Sequence, residues 1–279
     1  MTLSMTHSLE LAAEAVRYRV LDTTLELSGS LPLDDSWKKF LFDQEAPEGD
    51  SIQVWDLPHT SLVHQAWHDT LPFPGTRVIR CGDCIVVMDD GWSQCQVLQT
   101  GHPKDLQEAL LHLLYAHVVK RGFLQVHSSL IAYQGQGILF LGPSGIGKTT
   151  QAELWNRYRG ARILNGDLAF VQMTETGAVG YGTPWHGSSP YCENDQVPLI
   201  AGVVLKQDTE NRIRRLTGFE LVSEVARSIF YPLWVEDGGV YCMDTLNAVL
   251  SSLPVYELSC RPEEEAVALL ETELKREFT

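Results

Sequence analysis

The sequence lacks a long apolar run and is poor in basic residues. No stretch of its 279 residues approaches the roughly 20 apolar residues that a membrane-spanning helix needs, and residues 1–10 show neither the basic nor the apolar segment of a secretory signal. The 21 Lys and Arg stand against 36 Asp and Glu, which gives a formal net charge of −15. Because phosphate backbones and anionic lipids are bound by clustered Lys and Arg, we expect a protein that binds neither nucleic acid nor membrane. The lack of a spanning segment and of a secretory signal predicts a cytoplasmic location.

Cysteine is sparse as well, and its six residues are too scattered to indicate a disulfide framework. Cys81 and Cys84 have the C-x-x-C spacing. A zinc site would need a second pair, for which Cys95 and His102 are the nearby candidates. The pair lies at the edges of a strand-like apolar run. The sequence therefore favours core or turn thiols and leaves metal binding and redox chemistry as alternatives.

The first part of the chain has the pattern of a small β-rich domain, which we place at residues 1–103. Short apolar, β-branched runs are separated by segments rich in Pro, Gly and acidic residues. Alternation of polar and apolar residues favours antiparallel strands with one face in solvent. The predicted strands cover 18–27, 51–55, 77–80, 85–88 and 94–98, and the predicted loops cover 31–35, 45–50 and 71–75.

A change of period marks a helix that we expect to bridge the two parts of the chain, at residues 104–122. Apolar residues recur at helical spacing, and Lys120, Arg121 and Gly122 are a typical helix stop. Residues 123–279 alternate between strands and helices, which predicts an α/β domain. The predicted strands cover 124–132, 137–141, 162–164, 169–173, 199–206 and 255–258, and the predicted helices cover 148–158, 219–230 and a closing segment after Pro262.

One motif in the α/β part carries a specific chemistry. Residues 142–149, which we call the phosphate loop, match the pattern G-x-x-x-x-G-K-[ST] and lie between a predicted strand and a predicted helix. Its glycines let the backbone bend around a phosphate, which the amide groups and the helix N-terminus would bind. Lys148 can reach the β- and γ-phosphate oxygens, and the Thr149 hydroxyl can hold Mg²⁺. The predicted nucleotide-binding residues are Gly142, Pro143, Ser144, Gly145, Ile146, Gly147, Lys148, Thr149 and Thr150.

Asp167 is the candidate partner for the metal ion. It follows the predicted strand 162–164, one helix downstream of Lys148. A right-handed crossover would bring the C-terminal end of that strand beside the phosphate loop. We therefore predict that Asp167 lies close to Mg²⁺. A turn residue without a chemical role is the alternative.

These residues resemble the kinase domain of HPr serine kinase and its phosphoenolpyruvate-carboxykinase-like relatives. The resemblance covers the α/β part and rests on residues 127–131, 137–142, the phosphate loop and 162–167. It implies an α/β domain with a mixed sheet and a strand histidine, here His127, that faces the phosphates. It also implies two adjacent acids after the loop helix, one of them a base toward a serine hydroxyl. This chain has Gly166 in the first of those positions and keeps the second acid as Asp167. Whether Asp167 acts as base, metal ligand or both therefore stays open.

Among such kinase-like proteins the chain looks most like a divergent branch, some members of which modify ribosomally made peptides. The family's segment for docking HPr protein has no match in this sequence. The resemblance therefore does not imply HPr as a substrate.

A second candidate segment, residues 180–191, is dense in Gly, Pro, hydroxyls and aromatics. It could close over a nucleotide or acceptor, with Trp185 as a stacking surface and His186 as a proton carrier or phosphate partner. A packed connector whose tryptophan fills the core is the alternative. A basic cluster follows, for which a solvated turn or strand face is favoured over contact with a triphosphate or acidic peptide. It consists of Arg212, Arg214 and Arg215.

The sequence as a whole predicts an ATP-dependent, Mg²⁺-dependent kinase for a Ser or Thr hydroxyl of a peptide, protein or small acceptor. Lys148 would bind the phosphates, Thr149 and Asp167 the metal, and Asp167 or His127 would take the hydroxyl proton. The β-rich domain would recognise the acceptor or support a homo-oligomer. The alternative is a nucleotide-gated binding module with little or no transfer, in which ATP orders residues 183–191 around a partner.

Overall fold

The computed structural model describes residues 15–29, 31–44, 51–56, 77–98 and 103–277. The chain divides into two compact units, and the main division falls between Ala109 and Leu110, inside a helix. Two short early segments, 19–23 and 35–40, belong with the second unit. The predicted loops at 45–50 and 71–75, and His102, lie outside the described residues. No helix of the described part is long and apolar enough to cross a bilayer.

Most residues of a mixed six-stranded sheet, with the order β1-β2-β3-β6-β5-β4, belong to the first unit. Strands β4, β5 and β6 are antiparallel, as predicted, but β3 runs parallel to β2 and β6, so the antiparallel prediction is wrong there. Alternation has the same period in both kinds of sheet and cannot reveal the direction of pairing. The strands are Val16–Val20, Thr23–Ser28, Ser51–Asp56, Arg77–Cys81, Cys84–Met88 and Gln94–Leu98, numbered β1 to β6.

The predicted strand 18–27 is divided into β1 and β2 by a turn at Leu21 and Asp22. Leu21 has φ +59°, which is uncommon for a residue with a bulky side chain. Turn predictions rely on Gly, Pro, Asn and Asp, and an apolar residue at the bend hides this turn from them.

Cys81 and Cys84 face each other across the two-residue turn between β4 and β5. Both are buried, and none of the six cysteines is in a disulfide. Burial raises the pKa of Cys81 to about 11, so its reactive thiolate is scarce at neutral pH. The described residues include no group of three or more His, Cys, Asp or Glu arranged to hold a metal ion. The geometry agrees with turn thiols.

The second unit alternates helices with a nine-stranded sheet. Helix α1, Pro103–Val118, continues as a 3-10 turn, Val119–Arg121, and ends at Gly122 with φ +77°, as the stop signal predicts. The other helices, α2 to α5, are Lys148–Arg159, Gly218–Ala226, Gly238–Ser252 and Glu264–Glu277. Strands β7 to β15 are Phe123–Tyr133, Gln136–Leu141, Arg162–Asn165, Leu168–Thr174, Gly177–Tyr181, Gln196–Gln207, Arg212–Arg215, Ile229–Phe230 and Val255–Cys260.

The order of the long sheet is β11-β10-β7-β8-β12-β15-β13, and β9 and β14 also pair with β7. Strands β8, β12 and β15 are parallel, whereas β7 and β13 run antiparallel to their neighbours. The prediction of an α/β fold with a mixed sheet is therefore confirmed. The carboxyl ends of β8, β12 and β15 share one edge, where ligands bind in many α/β sheets.

Strand β7 changes its partners on both sides at one point. Its first half pairs with β10 and β14, and its second half pairs with β8 and β9. At the change, the His127 amide donates to the Ser228 carbonyl at 2.8 Å and the Ser128 amide donates to the Asp167 carbonyl at 2.9 Å. The chain leaves β8 and β9 here, which places two loops on either side of His127.

Two predictions for the last third need correction. The predicted helix 219–230 ends at Ala226 and gives way to β14, and α4 was not predicted. Helix α4 begins with Gly238 and Gly239 and contains several weak helix formers, so its local helix propensity is low. Burial of Cys242, Leu246 and Val249 stabilises it instead.

The main core of the second unit lies where the sheet meets α2 and α5. Trp155 on α2 is fully buried among the side chains of β8, β12 and β15, and its ring packs edge-on against Tyr133 at 5.3 Å between centroids. Its indole N–H has no hydrogen-bond partner among the described residues. Packing, rather than a polar contact, therefore determines what Trp155 contributes.

Trp155→Ala should lower the free energy of unfolding of the second unit by about 3–5 kcal/mol, because it leaves a large cavity. Trp155→Phe should cost much less, since it keeps an aromatic ring and removes the unpaired N–H. Urea unfolding of both variants, followed by amide hydrogen exchange in β8 and β12, measures the difference. Equal losses for the two variants would contradict this packing.

Candidate functional site

The phosphate loop lies between the end of β8 and the start of α2. Gly142, Gly145 and Gly147 have φ values of +135°, +79° and +113°, in the region that L side chains rarely adopt. The three glycines are therefore required by the backbone path itself. The Gly142 amide is held by the buried hydroxyl of Ser228, which accepts its hydrogen bond at 3.3 Å.

Lys148 lies across this loop with 6% of its surface exposed. Its ammonium group donates to the carbonyls of Gly142 at 3.1 Å and Pro143 at 3.2 Å. Burial lowers the pKa of Lys148, and the nearby charge of Asp167 acts in the opposite direction. Lys148 is thus a weakly hydrated cation, and such a cation interacts strongly with an anion that enters the loop.

Asp167 and His127 form a pair at the point where β7 changes its hydrogen-bond partners. The turn that carries Asp167 lies on the opposite side of β7 from the phosphate loop. His127 Nε2 lies 3.3 Å from Asp167 Oδ1. The hydrogen bond from His127 holds the pKa of Asp167 below its ordinary value; burial opposes this shift, and the charge of Lys148 adds to it. Asp167 is therefore ionised at neutral pH. The structure brings together three of the predicted site residues, Lys148, His127 and Asp167.

Thr149 is tied to the turn that carries Asp167. Its hydroxyl donates to the Gly166 carbonyl at 3.0 Å, and Ser129 donates to the same oxygen at 3.0 Å. Thr150, on the same turn of α2, is exposed. Mg²⁺ in phosphate-transfer sites takes one or two carboxylates together with phosphate oxygens and water. The Asp167 carboxylate and the Thr149 hydroxyl are oxygen donors of this kind, so these residues fit Mg²⁺ held jointly with a nucleotide.

Asn165 organises the site and was not singled out by sequence reasoning. It is fully buried, and its amide group donates to the carbonyls of Thr183 and Trp185, both at 3.0 Å. Its Oδ1 accepts from the amides of Asp167 at 2.8 Å and Leu168 at 2.7 Å. One side chain thus fixes both the Asp167 turn and the loop after β11. An asparagine directly after the predicted strand 162–164, two residues before the candidate acid, was the available signal.

Gly166, in the position of the expected first acid, has no room for a side chain. A Cβ built there would lie 2.0 Å from the Oγ of Ser189. Ser189 is buried, and its hydroxyl donates to the His186 carbonyl at 2.9 Å. The Gly166 amide also donates to the Tyr191 carbonyl at 3.1 Å. The segment after His186 therefore occupies the space next to Gly166.

The segment 180–191 lies against Asp167. A Cβ built on Gly187, which has φ +60°, would lie 2.5 Å from Asp167 Oδ2. Trp185 is 8% exposed and packs edge-on against Trp37, with ring centroids 5.2 Å apart, which agrees with the packed-connector alternative. His186 is half-buried, contacts the Ser189 carbonyl through Nδ1 and helps to lower the pKa of Asp167.

The predicted basic cluster forms β13, away from these residues. Arg214 makes ion pairs with Glu220 at 2.6 Å and Glu257 at 2.9 Å, and Arg212 pairs with Asp208. The strand pairs with β15 and its arginines are exposed. This agrees with a solvated strand face.

Comparison with known proteins gives a distant structural likeness. No protein-family model matches the chain, and no curated protein matches its sequence. Among solved structures, the chain is similar to the HPr(Ser) kinase/phosphatase from Coxiella burnetii, with a TM-score of 0.32 and 14% identity. The match covers 55% of this chain and 89% of that one. At this distance the likeness carries no argument about activity.

Gly166→Ala should lower the free energy of unfolding of the second unit by about 1–3 kcal/mol, because its new methyl group collides with Ser189. The double variant Gly166→Ala/Ser189→Gly should recover much of the loss, since the colliding atoms are gone. A double-mutant cycle by urea unfolding measures this coupling. Strictly additive effects would show that the two positions do not compete for space.

His127→Phe should raise the pKa of Asp167, because it removes the hydrogen bond that lowers it. Ionised Asp167 stabilises the folded state, and this contribution disappears as the pH falls through the folded-state pKa of Asp167. Because the variant has a higher pKa at Asp167, its stability should begin to fall at a higher pH than that of the unaltered chain. NMR titration of the Asp167 carboxyl carbon measures the shift. His186→Phe is the matched control and should shift the pKa less. No change in the His127 variant would contradict the assigned cause.

Proposed function

We propose that this protein is an ATP-dependent phosphotransferase that acts on a Ser or Thr hydroxyl of a peptide, protein or small acceptor. The observation that carries the proposal is the arrangement of Lys148, Asp167 and His127 around the phosphate loop. A buried cation and an ionised carboxylate on opposite sides of one strand suit the transfer of a phosphoryl group between two oxygens.

In this proposal the loop amides and Lys148 bind the β- and γ-phosphates. The loop at the N-terminus of α2 presents backbone N–H groups, and the helix dipole favours negative charge at this end. Lys148 adds a positive charge that is shielded from water by burial. These groups stabilise the charge that develops on the leaving β-phosphate oxygen.

Asp167 orients the acceptor. The acceptor hydroxyl oxygen bonds to the γ-phosphorus, the bond from that phosphorus to the β–γ bridging oxygen breaks, and ADP leaves with the electron pair. Asp167 takes the hydroxyl proton, and His127 keeps the carboxylate ionised and directed through the 3.3 Å contact. Thr149 and Asp167 would hold Mg²⁺, which supplies neutralisation of phosphate charge when bound.

The second candidate is a nucleotide-gated binding module with little or no transfer. Gly166 and Ser189 favour it, because the position next to Asp167 has no second acid and its space is filled. ATP would then order residues 183–191 around a partner. The same residues bind the nucleotide in both candidate functions. The two functions differ in whether the phosphoryl group is transferred to an acceptor.

Lys148→Ala should abolish both nucleotide binding and phosphoryl transfer, because it removes the cation on the phosphates. Asp167→Asn should abolish transfer but keep binding of the nucleotide, since the amide cannot take a proton. Incubation with labelled ATP, Mg²⁺ and peptide or free-serine acceptors measures transfer, and calorimetry measures binding.

Glu265→Gln, on the exposed start of α5, is a matched control for loss of one carboxylate and should leave transfer unchanged. Normal transfer by the Asp167 variant would refute the assigned role. Tight binding by the unaltered chain without any labelled product would favour the binding module instead.

A further inference from the structure

We propose that a cavity beside the phosphate loop binds the base and ribose of the nucleotide, and that Gln151 selects adenine. The cavity has a volume of about 420 Å³, within the usual range of small-molecule sites. This inference rests on the proposed function, because it assumes that the triphosphate occupies the loop. It adds the place where the base binds and the side chain that distinguishes adenine from guanine, which the phosphate-binding residues cannot determine.

The position of the cavity fits the part of a nucleotide that lies beyond the phosphates. Gly145, Gly147 and Thr150 form one wall, and the carboxyl ends of β12 and β15 form the opposite wall. Both strands end at the same sheet edge as β8, which leads into the loop. A chain of phosphates held in the loop therefore lies next to this cavity, into which its nucleoside can extend.

The charged side chains of the cavity already have partners. Lys206 pairs with Glu224 at 3.0 Å, and Arg261 pairs with Glu263 at 2.8 Å. Asp208 accepts from the Thr209 amide at 2.7 Å and from Arg212. The remaining lining includes the apolar side chains of Ile146, Leu205 and Pro262. Such walls suit an uncharged, flat ring better than another phosphate.

Gln151 is a buried polar side chain of this cavity that lacks a satisfactory partner. It lies on the first turn of α2 with 3% of its surface exposed, and its Nε2 contacts the Cys260 thiol at 3.2 Å. Its Oε1 accepts no hydrogen bond from any described residue. Sulfur is a weak acceptor, so both ends of this amide gain from a better partner. Rotation of the amide about its last bond is easy, since that torsion is broad.

The chemistry of the amide distinguishes the two purines. Adenine presents its N6 amino group as a donor beside the acceptor N7, and a glutamine amide pairs with both. The same edge of guanine presents two acceptors, O6 and N7, which would leave the Gln151 oxygen unpaired. The carboxylate of Asp208, which could otherwise attract the donors of guanine, is engaged by its own turn and Arg212.

Calorimetry in saturating Mg²⁺ with ATP, GTP and tripolyphosphate tests this proposal. The unaltered chain should bind ATP more tightly than either other compound. Gln151→Ala should lower the affinity for ATP by about 5- to 150-fold, to a value close to the affinity for GTP. The affinity for tripolyphosphate should not change. Unchanged tripolyphosphate binding also shows that the variant is folded.

Pro262→Trp provides a second, independent test, because it narrows the cavity at an exposed position of its wall. It should weaken ATP binding and leave tripolyphosphate binding unchanged. Glu175→Trp, at an exposed position of the turn between β10 and β11 that does not line the cavity, should change neither. Equal binding of ATP and tripolyphosphate by the unaltered chain, or full ATP affinity in both cavity variants, would overturn the base site and leave the phosphate site standing. Failure of all three compounds to bind would instead refute the proposed function.

Discussion

The change of hydrogen-bond partners along β7 is the constraint on which the rest of the site depends. Both flanking strands switch between His127 and Ser128, so two loops leave the sheet at the same level on either side of one histidine. One of them continues as the phosphate loop and the other carries Asp167. The cation, the carboxylate and the histidine meet because of this backbone pairing, although they lie far apart in the sequence.

The electrostatics of the site differ from those of the chain as a whole. The protein has a net charge of −15, yet it buries Lys148 next to carbonyl groups and an ionised acid. Burial and the neighbouring carboxylate act in opposite directions on this lysine. In the proposed function, a triphosphate adds further negative charge beside this buried ammonium group, and that is the strongest physical reason to propose a phosphate site here.

Much of the second unit could be predicted from the sequence, because its signals are local. The glycines of the phosphate loop and the stop at Gly122 follow from backbone geometry, and the apolar runs mark the strands. The parallel pairing of β3 and helix α4 could not be predicted, since each depends on distant packing. The turn at Leu21 was missed because an apolar residue occupies the bend. The role of Asn165 and the crowding at Gly166 likewise arise from residues about 20 positions further along.

The double-sided pairing of β7 also limits how the site can open. From Gln125 to Ala132 the strand has neighbours on both sides, so it cannot bend without breaking several backbone hydrogen bonds at once. Its amides belong to the class that exchanges with solvent only through large-scale opening of a protein. Entry and exit of a ligand through movement of the loops at the sheet edge would leave these paired backbone hydrogen bonds intact, whereas bending of β7 would break them.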